Sequence, residues 1–232
     1  MHSITPLGIA LGFIPVGIVI VILYRWSVDS RSAIFAIFRM LIQLVLIGYV
    51  LGYLFEADSP VLIIPILVVM LLIASWIAMR PIAGAYPGLY VNVLLAIAAG
   101  GIPTLLLVTQ AVIDIQPWYE PRYLIPLGGM IFASAMNAVS LAAERAESER
   151  GHGKSGREAR NAGLQAALIP LINSLLAVGL VTLPGMMTGQ ILSGIEPLVA
   201  ARYQIVVMCM IFGSSGIAAA CYLLAAERHR DP

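Results

Sequence analysis

Residues 61–79 read VLIIPILVVMLLIASWIAM, nineteen positions without one charged side chain. About 20 mostly apolar residues let a helix cross the hydrocarbon core of a bilayer. Outward from this stretch, six more of the same kind lie at roughly 4–23, 33–55, 89–111, 123–143, 164–183 and 202–225. Strand-like alternation with period two is absent, which argues for helices rather than a barrel. The expected fold is all-α: a polytopic membrane helical bundle of about seven transmembrane helices, with 1–232 forming a single domain.

Composition agrees. Of 232 residues, 60% are hydrophobic and 11% charged, and mean hydropathy is +0.96. Soluble chains carry about 25% charged residues, and a small globule has too little interior for such an apolar excess. A soluble enzyme, a nucleic-acid binder and a disordered linker are excluded. The net charge of +1 suggests no polyanionic partner. Only His2 precedes the first apolar run, which also lacks a small-residue cleavage site, so the run reads as a retained span rather than a signal peptide. Cys209 and Cys221 lie twelve residues apart in one apolar stretch. That is ~18 Å of helix, too far for a disulfide within the chain.

Basic residues orient the bundle. With the N-terminus outside, the inner segments hold Arg25, Arg31, Arg80, Arg145, Arg150, Lys154, Arg157, Arg160, Arg228 and Arg230, and the outer segments only Arg122 and Arg202. This ten-to-two bias fits the positive-inside rule and places the C-terminus in the cytoplasm. Glu56, Asp58, Asp114, Glu120 and Glu196 then fall outside.

The one sizeable hydrophilic segment, 144–163, is expected to be a cytoplasmic loop between spans five and six, weakened as a helix by Gly151, Gly153 and Gly156. Gly100-Gly101 with Pro103 is expected to break the fourth span, whereas Pro170 near the start of the sixth reads as an ordinary spanning-helix proline. Pro184-Gly185 ends the sixth span, and the apolar piece 186–195 is too short to cross. Broken backbone at membrane depth must lie inside protein or along a watery cavity. Residues 184–197 are therefore expected to form a re-entrant or pathway element.

Arg39 is the one cation inside a span, six residues or ~9 Å past its inner end. Gln43 shares its face. The pair either lines a pathway or marks a snorkelling anchor. Gly8 with Gly12, and Gly48 with Gly52, are small-residue pairs suited to close packing, within the chain or between subunits. Gly153-Lys154-Ser155 resembles the end of a phosphate-binding loop, but the glycine required five positions earlier is Ser148 and no strand precedes it. All three histidines and every carboxylate lie in loops or at span ends, which leaves no acid–base or nucleophilic constellation. Met186, Met187, Met208, Cys209 and Met210 gather sulfur near the outer half of the membrane. Packing is the ordinary use of such residues, and a soft-metal role stands beside it.

Longer motifs carry a resemblance. They are Gly129-Met130-Ile131, 135–141 (AMNAVSL) with Glu144-Arg145, 167–173 (ALIPLIN), 178–192 (VGLVTLPGMMTGQIL) and Tyr203-Gln204-Ile205, with Arg39, Gln43-Leu44 and Gly48 near the front. In these the chain resembles the FetB-type ABC transporter permease family, whose bacterial members are tied to iron export and plant relatives to aluminium tolerance. The resemblance implies a homodimeric permease paired with a separate cytoplasmic ABC ATPase subunit. It would be a transport subunit and not an enzyme, with no cofactor of its own and ATP used by the partner. The transport-pathway candidates are Arg39, Gln43, Asn137, Asn173, Pro184, Gly185, Met186, Met187, Thr188 and Gln190. The ATPase-coupling candidates are Arg145, Arg157 and Arg160, and any metal ligands are unknown. The chain departs from the family after Glu144-Arg145, where members carry a longer segment that looks like an ATPase-coupling helix. Here about twenty residues reach Leu164. Either 157–164 docks the ATPase in shortened form or coupling is impaired. Function divides accordingly: an ABC exporter subunit for a metal cation such as iron, or an uncoupled channel or secondary carrier for a small solute.

Overall fold

Pro15 splits the first apolar stretch. The computed structural model describes residues 5–56, 60–82 and 88–230, and its helices begin with α1 (Pro6–Gly12) and α2 (Ile14–Arg25). A proline within the first turn of α2 cannot donate to the preceding carbonyl ladder, so the chain turns at Phe13. Then come α3 (Ser30–Glu56), α4 (Pro60–Ala78), α5 (Leu89–Leu106), α6 (Pro121–Gly151), α7 (Gly156–Ala177), α8 (Gly185–Leu192) and α9 (Pro197–Arg230). Among the described residues there is no strand, only an isolated bridge between Val178 and Thr182. Asp58, most of the 80–88 connection and both chain ends lie outside the described residues.

Among the described residues, six stretches are long and apolar enough to cross a membrane, α1 and α2 counting as one. The seventh expected span is α7. Its first turns, Gly-Arg-Glu-Ala-Arg-Asn, are polar, and its apolar part begins at Leu164. The chain is a helical membrane bundle with a span count near seven.

The contacts divide the chain into two units, Met1–Ala57 and Asp58–Pro232. In the first, α2 packs on α3 and neither α1 nor α2 buries any residue. In the second, α5 and α9 run along each other, α6 packs on α7 and α9, and α4 covers α6.

The core of the second unit is built on small residues. Ala135, Ala138, Ala142, Ala143 and Ala146 of α6, Ala167 of α7, and Ala218 and Ala219 of α9 are all buried. Small residues let helix backbones approach where lipid offers no hydrophobic driving force. A Cβ on Gly100 would stand 2.3 Å from the Ser214 backbone oxygen, and one on Gly163 would stand 2.6 Å from that of Ala142. Ser215 donates to Ser134 across α9 and α6 at 2.8 Å, and Ser140 of α6 donates to the Ala78 carbonyl at 2.9 Å.

Two expectations are corrected here. The fourth span is not broken at Gly100-Gly101 and Pro103, because α5 runs through all three to Leu106. The glycines serve packing: Gly100 meets α9, and Gly101 faces Phe132 of α6. The helix widens only afterwards, into a π-helical stretch at Leu107–Val112. The segment 144–163 is also not a loop. α6 continues to Gly151 and α7 starts at Gly156, leaving a four-residue turn. The glycines cluster at that turn, while Ala143, Ala146, Ala159 and Gly163 give the flanking turns a face to bury. α7 passes through Pro170 unbroken, as expected, but ends at Ala177, six residues short of the expected 183.

Candidate functional site

Helix length places the charged end of the molecule. α6 has 31 residues and α9 has 34. At 1.5 Å per residue these are ~46 and ~51 Å long, against a hydrocarbon core of about 30 Å. Both must project from the bilayer. The C-terminal turns of α6 and the N-terminal turns of α7 form a helical hairpin. Ser155 caps α7: its hydroxyl accepts from the Glu158 amide at 3.4 Å, and the Glu158 carboxylate accepts from the Ser155 amide at 3.1 Å and from its hydroxyl at 2.7 Å. This is a capping box. These hydrogen bonds, the Ser155 side chain first, hold the Glu158 carboxyl below the ordinary carboxylate value. The Ser155 hydroxyl of the Gly-Lys-Ser motif is thus engaged in ending a turn.

Glu149, buried although charged, forms ion pairs with Arg145 one turn earlier and with Lys154 across the turn. Arg160 Nη1 donates to Glu227 Oε2 at 2.8 Å, which ties the start of α7 to the end of α9. Of the three coupling candidates, Arg145 and Arg160 are therefore engaged inside the chain, and Arg157 is exposed. Glu149 and Glu227 escaped the sequence reading. The spacing Ser155-x-x-Glu158 was the available signal for a helix start.

The opposite end of the unit carries the 184–190 candidates. Pro184 caps α8, and Gly185, Met186, Met187, Thr188 and Gln190 lie on it. Part of the backbone in the break before it pairs locally. The amides of Leu180, Val181 and Thr182 all donate to the Ala177 carbonyl, and Gly179 donates to that of Thr182. Gly179 takes φ +81°, which only glycine adopts without strain. Thr188 Oγ1 donates to the Pro184 carbonyl at 3.1 Å. A demand for polar partners comes from side chains: Gln190 Oε1 and Gln204 Oε1 are buried with no hydrogen-bond partner. Beside them lies a groove of about 340 Å³ between the end of α7, the 178–183 turn, α8 and α9, whose lining includes Met187, Gln204, Met208 and Cys209. Asn137 of α6 and Asn173 of α7 are exposed and do not line it.

Within the first unit, the Gln43 amide oxygen, in the orientation that satisfies it, accepts from Arg39 Nε at 3.1 Å and Nη2 at 3.3 Å. The expected pair is thus brought together. Arg39 lies nine residues into α3. Among the described residues, no three His, Cys, Asp or Glu side chains come together as a metal site.

Long apolar helices and a small-residue interior, with charge gathered mostly at helix ends, define a multi-pass protein of the cell membrane. A family model described as "Uncharacterised protein family (UPF0014)" matches residues 4–230, and the chain belongs to that family. It is 37% identical to the UPF0014 membrane protein slr1647 of Synechocystis sp., over 75% of this chain and 73% of that protein. It is 32% identical to the "Probable iron export permease protein FetB" of Escherichia coli, over 96% and 91%. It is 31% identical to the protein ALUMINUM SENSITIVE 3 of Arabidopsis thaliana, over 79% and 71%. No solved structure matches the chain.

Proposed function

We propose that the chain is the membrane-spanning permease subunit of an ABC-type exporter that moves a metal cation such as iron out of the cytoplasm. Energy comes from a separate ATPase subunit, which binds the ATP, and the chain itself catalyses no reaction. The observation that carries this reading is the similarity to the iron export permease along nearly the whole of both chains. The projecting ends of α6, α7 and α9 supply a rigid, charged surface of the kind an ATPase needs to grip. In this arrangement the N-terminus is outside, the hairpin is cytoplasmic and two permease chains pair with two ATPases.

Arg157 is the cleanest probe of the contact, since its exposed side chain can be reversed without breaking Arg160–Glu227. Co-expression with a candidate cytoplasmic ABC ATPase, followed by co-purification, tests it. Arg157→Glu should cut recovery of the complex about tenfold while leaving membrane insertion intact. Unchanged recovery would move the contact elsewhere. If no ATPase pairs with the wild-type chain, the uncoupled carrier takes over, a reading favoured by the shortness of the connection at 152–155.

Orientation is tested separately. With Cys209 and Cys221 replaced by Ser, single cysteines at Ser3 and His152 are exposed to an impermeant thiol reagent on intact cells. Only the first should react, and labelling at His152 would reverse the map.

A further inference from the structure

The groove beside α8 has a chemistry of its own. Its nitrogen- and sulfur-bearing side chains are Met187, Gln204, Met208 and Cys209, and the rest of the lining is aliphatic or glycine. On α9, Gln204 and Met208 are one turn apart and share a face, Cys209 follows Met208 and is exposed at the groove's edge, and Met187 comes from α8. Gln204 is only 5% exposed, and its Oε1 has no partner. An unsatisfied buried amide costs about 1–3 kcal/mol, so a native protein that keeps one ordinarily gives it something to bind.

We propose that this groove binds a soft monovalent cation, Cu(I) or its surrogate Ag(I). Met187, Met208 and Cys209 supply the sulfur, and the Gln204 amide lies in the same lining. Thioether and thiolate donors select soft cations over hard ones. Charge selects the valence. On binding, the Cys209 S–H bond breaks, a sulfur–metal bond forms and the proton leaves to solvent, without change of oxidation state. One thiolate then cancels one positive charge, leaving the apolar groove neutral, whereas a divalent ion would leave a net charge that such surroundings disfavour. The site stands on the groove alone and does not rest on coupling to an ATPase.

The test is equilibrium dialysis of the purified full chain in detergent against Ag(I) in chloride-free buffer, with bound silver counted per chain. Wild type should bind one equivalent. Met187→Leu with Met208→Leu should weaken binding at least about tenfold, as should Cys209→Ser. Cys221→Ser should leave it unchanged, and Fe(II) in excess should not compete. Leucine conserves volume, so the methionine pair should fold like wild type by circular dichroism and elution. If Cys209→Ser fails to fold, the methionine pair decides alone. No bound silver, wild-type affinity in the methionine pair, or loss on Cys221→Ser would each overturn the site, leaving the groove to lipid or water.

Discussion

The two units are both built from apolar helices but differ in what those helices bury. The first, α1–α3, contains two of the most hydropathic spans, and within their spanning windows nothing is buried. In the second, α6 is the least hydropathic of the six candidate spans and half of its window is buried. In water the order would be reversed. In lipid, an apolar side chain gains nothing by moving from acyl chains to protein, so hydropathy marks residence in the membrane and not the interior of the bundle. The interior is marked by small residues and polar links between helices. Gly100 and Gly163 leave room for a neighbour's backbone, while a Cβ on Gly12, Gly48 or Gly52 would meet no atom within 4 Å.

The strongest way to break this contrast is to fill the tight contacts. Gly100→Val puts a branched side chain where even a Cβ lies 2.3 Å from backbone. It should cost on the order of 3 kcal/mol or more. Gly163→Ala should cost about 1–3 kcal/mol, because the Ala142 carbonyl cannot move without α6. Thermal unfolding of the purified protein measures both. A tolerated Gly100→Val would mean that α5 and α9 do not pack as closely as described.

A smaller effect is expected at the hairpin. The Glu158 pKa is lowered in the fold, so its contribution is present above the ordinary glutamate value of 4.5 and is lost as pH falls through the lowered one. Acidification below 4.5 should loosen the 152–155 turn, followed by proteolysis at Gly153 or by amide exchange. Ser155→Ala should loosen the turn at neutral pH and blunt the acid step. If the acid response survives in Ser155→Ala, some other carboxylate carries it.

The smallest disruption is expected in the first unit, and it sharpens the contrast by its sign. Gly48→Ala enters open space within its unit, and alanine is the better helix former by about 1 kcal/mol. The variant should be as stable as wild type or slightly more so. If it instead weakens subunit association, measured by chemical cross-linking, then Gly48 and Gly52 pack against a second copy.

These outcomes mirror what was legible in the sequence. Spans and architecture could be read because apolar length alone decides them, as 61–79 illustrates. Helix breaks were read less well. Gly100-Gly101-Pro103 looked like a break because helix propensity is local, and the neighbour that explains Gly100 is Ser214, more than a hundred residues away. The hairpin reads as a loop in sequence because three glycines outweigh the alanine face at 143, 146 and 159, although Ser155 and Glu158 spell a helix start. At the groove beside α8, the Pro184-Gly185 break points the sequence reader to Met187. It does not point to Gln204, since nothing in an apolar span tells which amide will lack a partner. The Arg160–Glu227 pair joins positions too far apart for spacing to relate.

The central claim is that the bundle moves a metal cation at the expense of ATP hydrolysed by another chain. The most direct test uses inverted membrane vesicles containing the protein and its ATPase, loaded with an Fe(II)-quenched dye and supplied with iron outside. Export from the cytoplasm then appears as uptake. The account predicts uptake that requires ATP, stops when the ATPase is omitted and falls in Arg157→Glu. Equal uptake with and without ATP, or none under any condition, would contradict it.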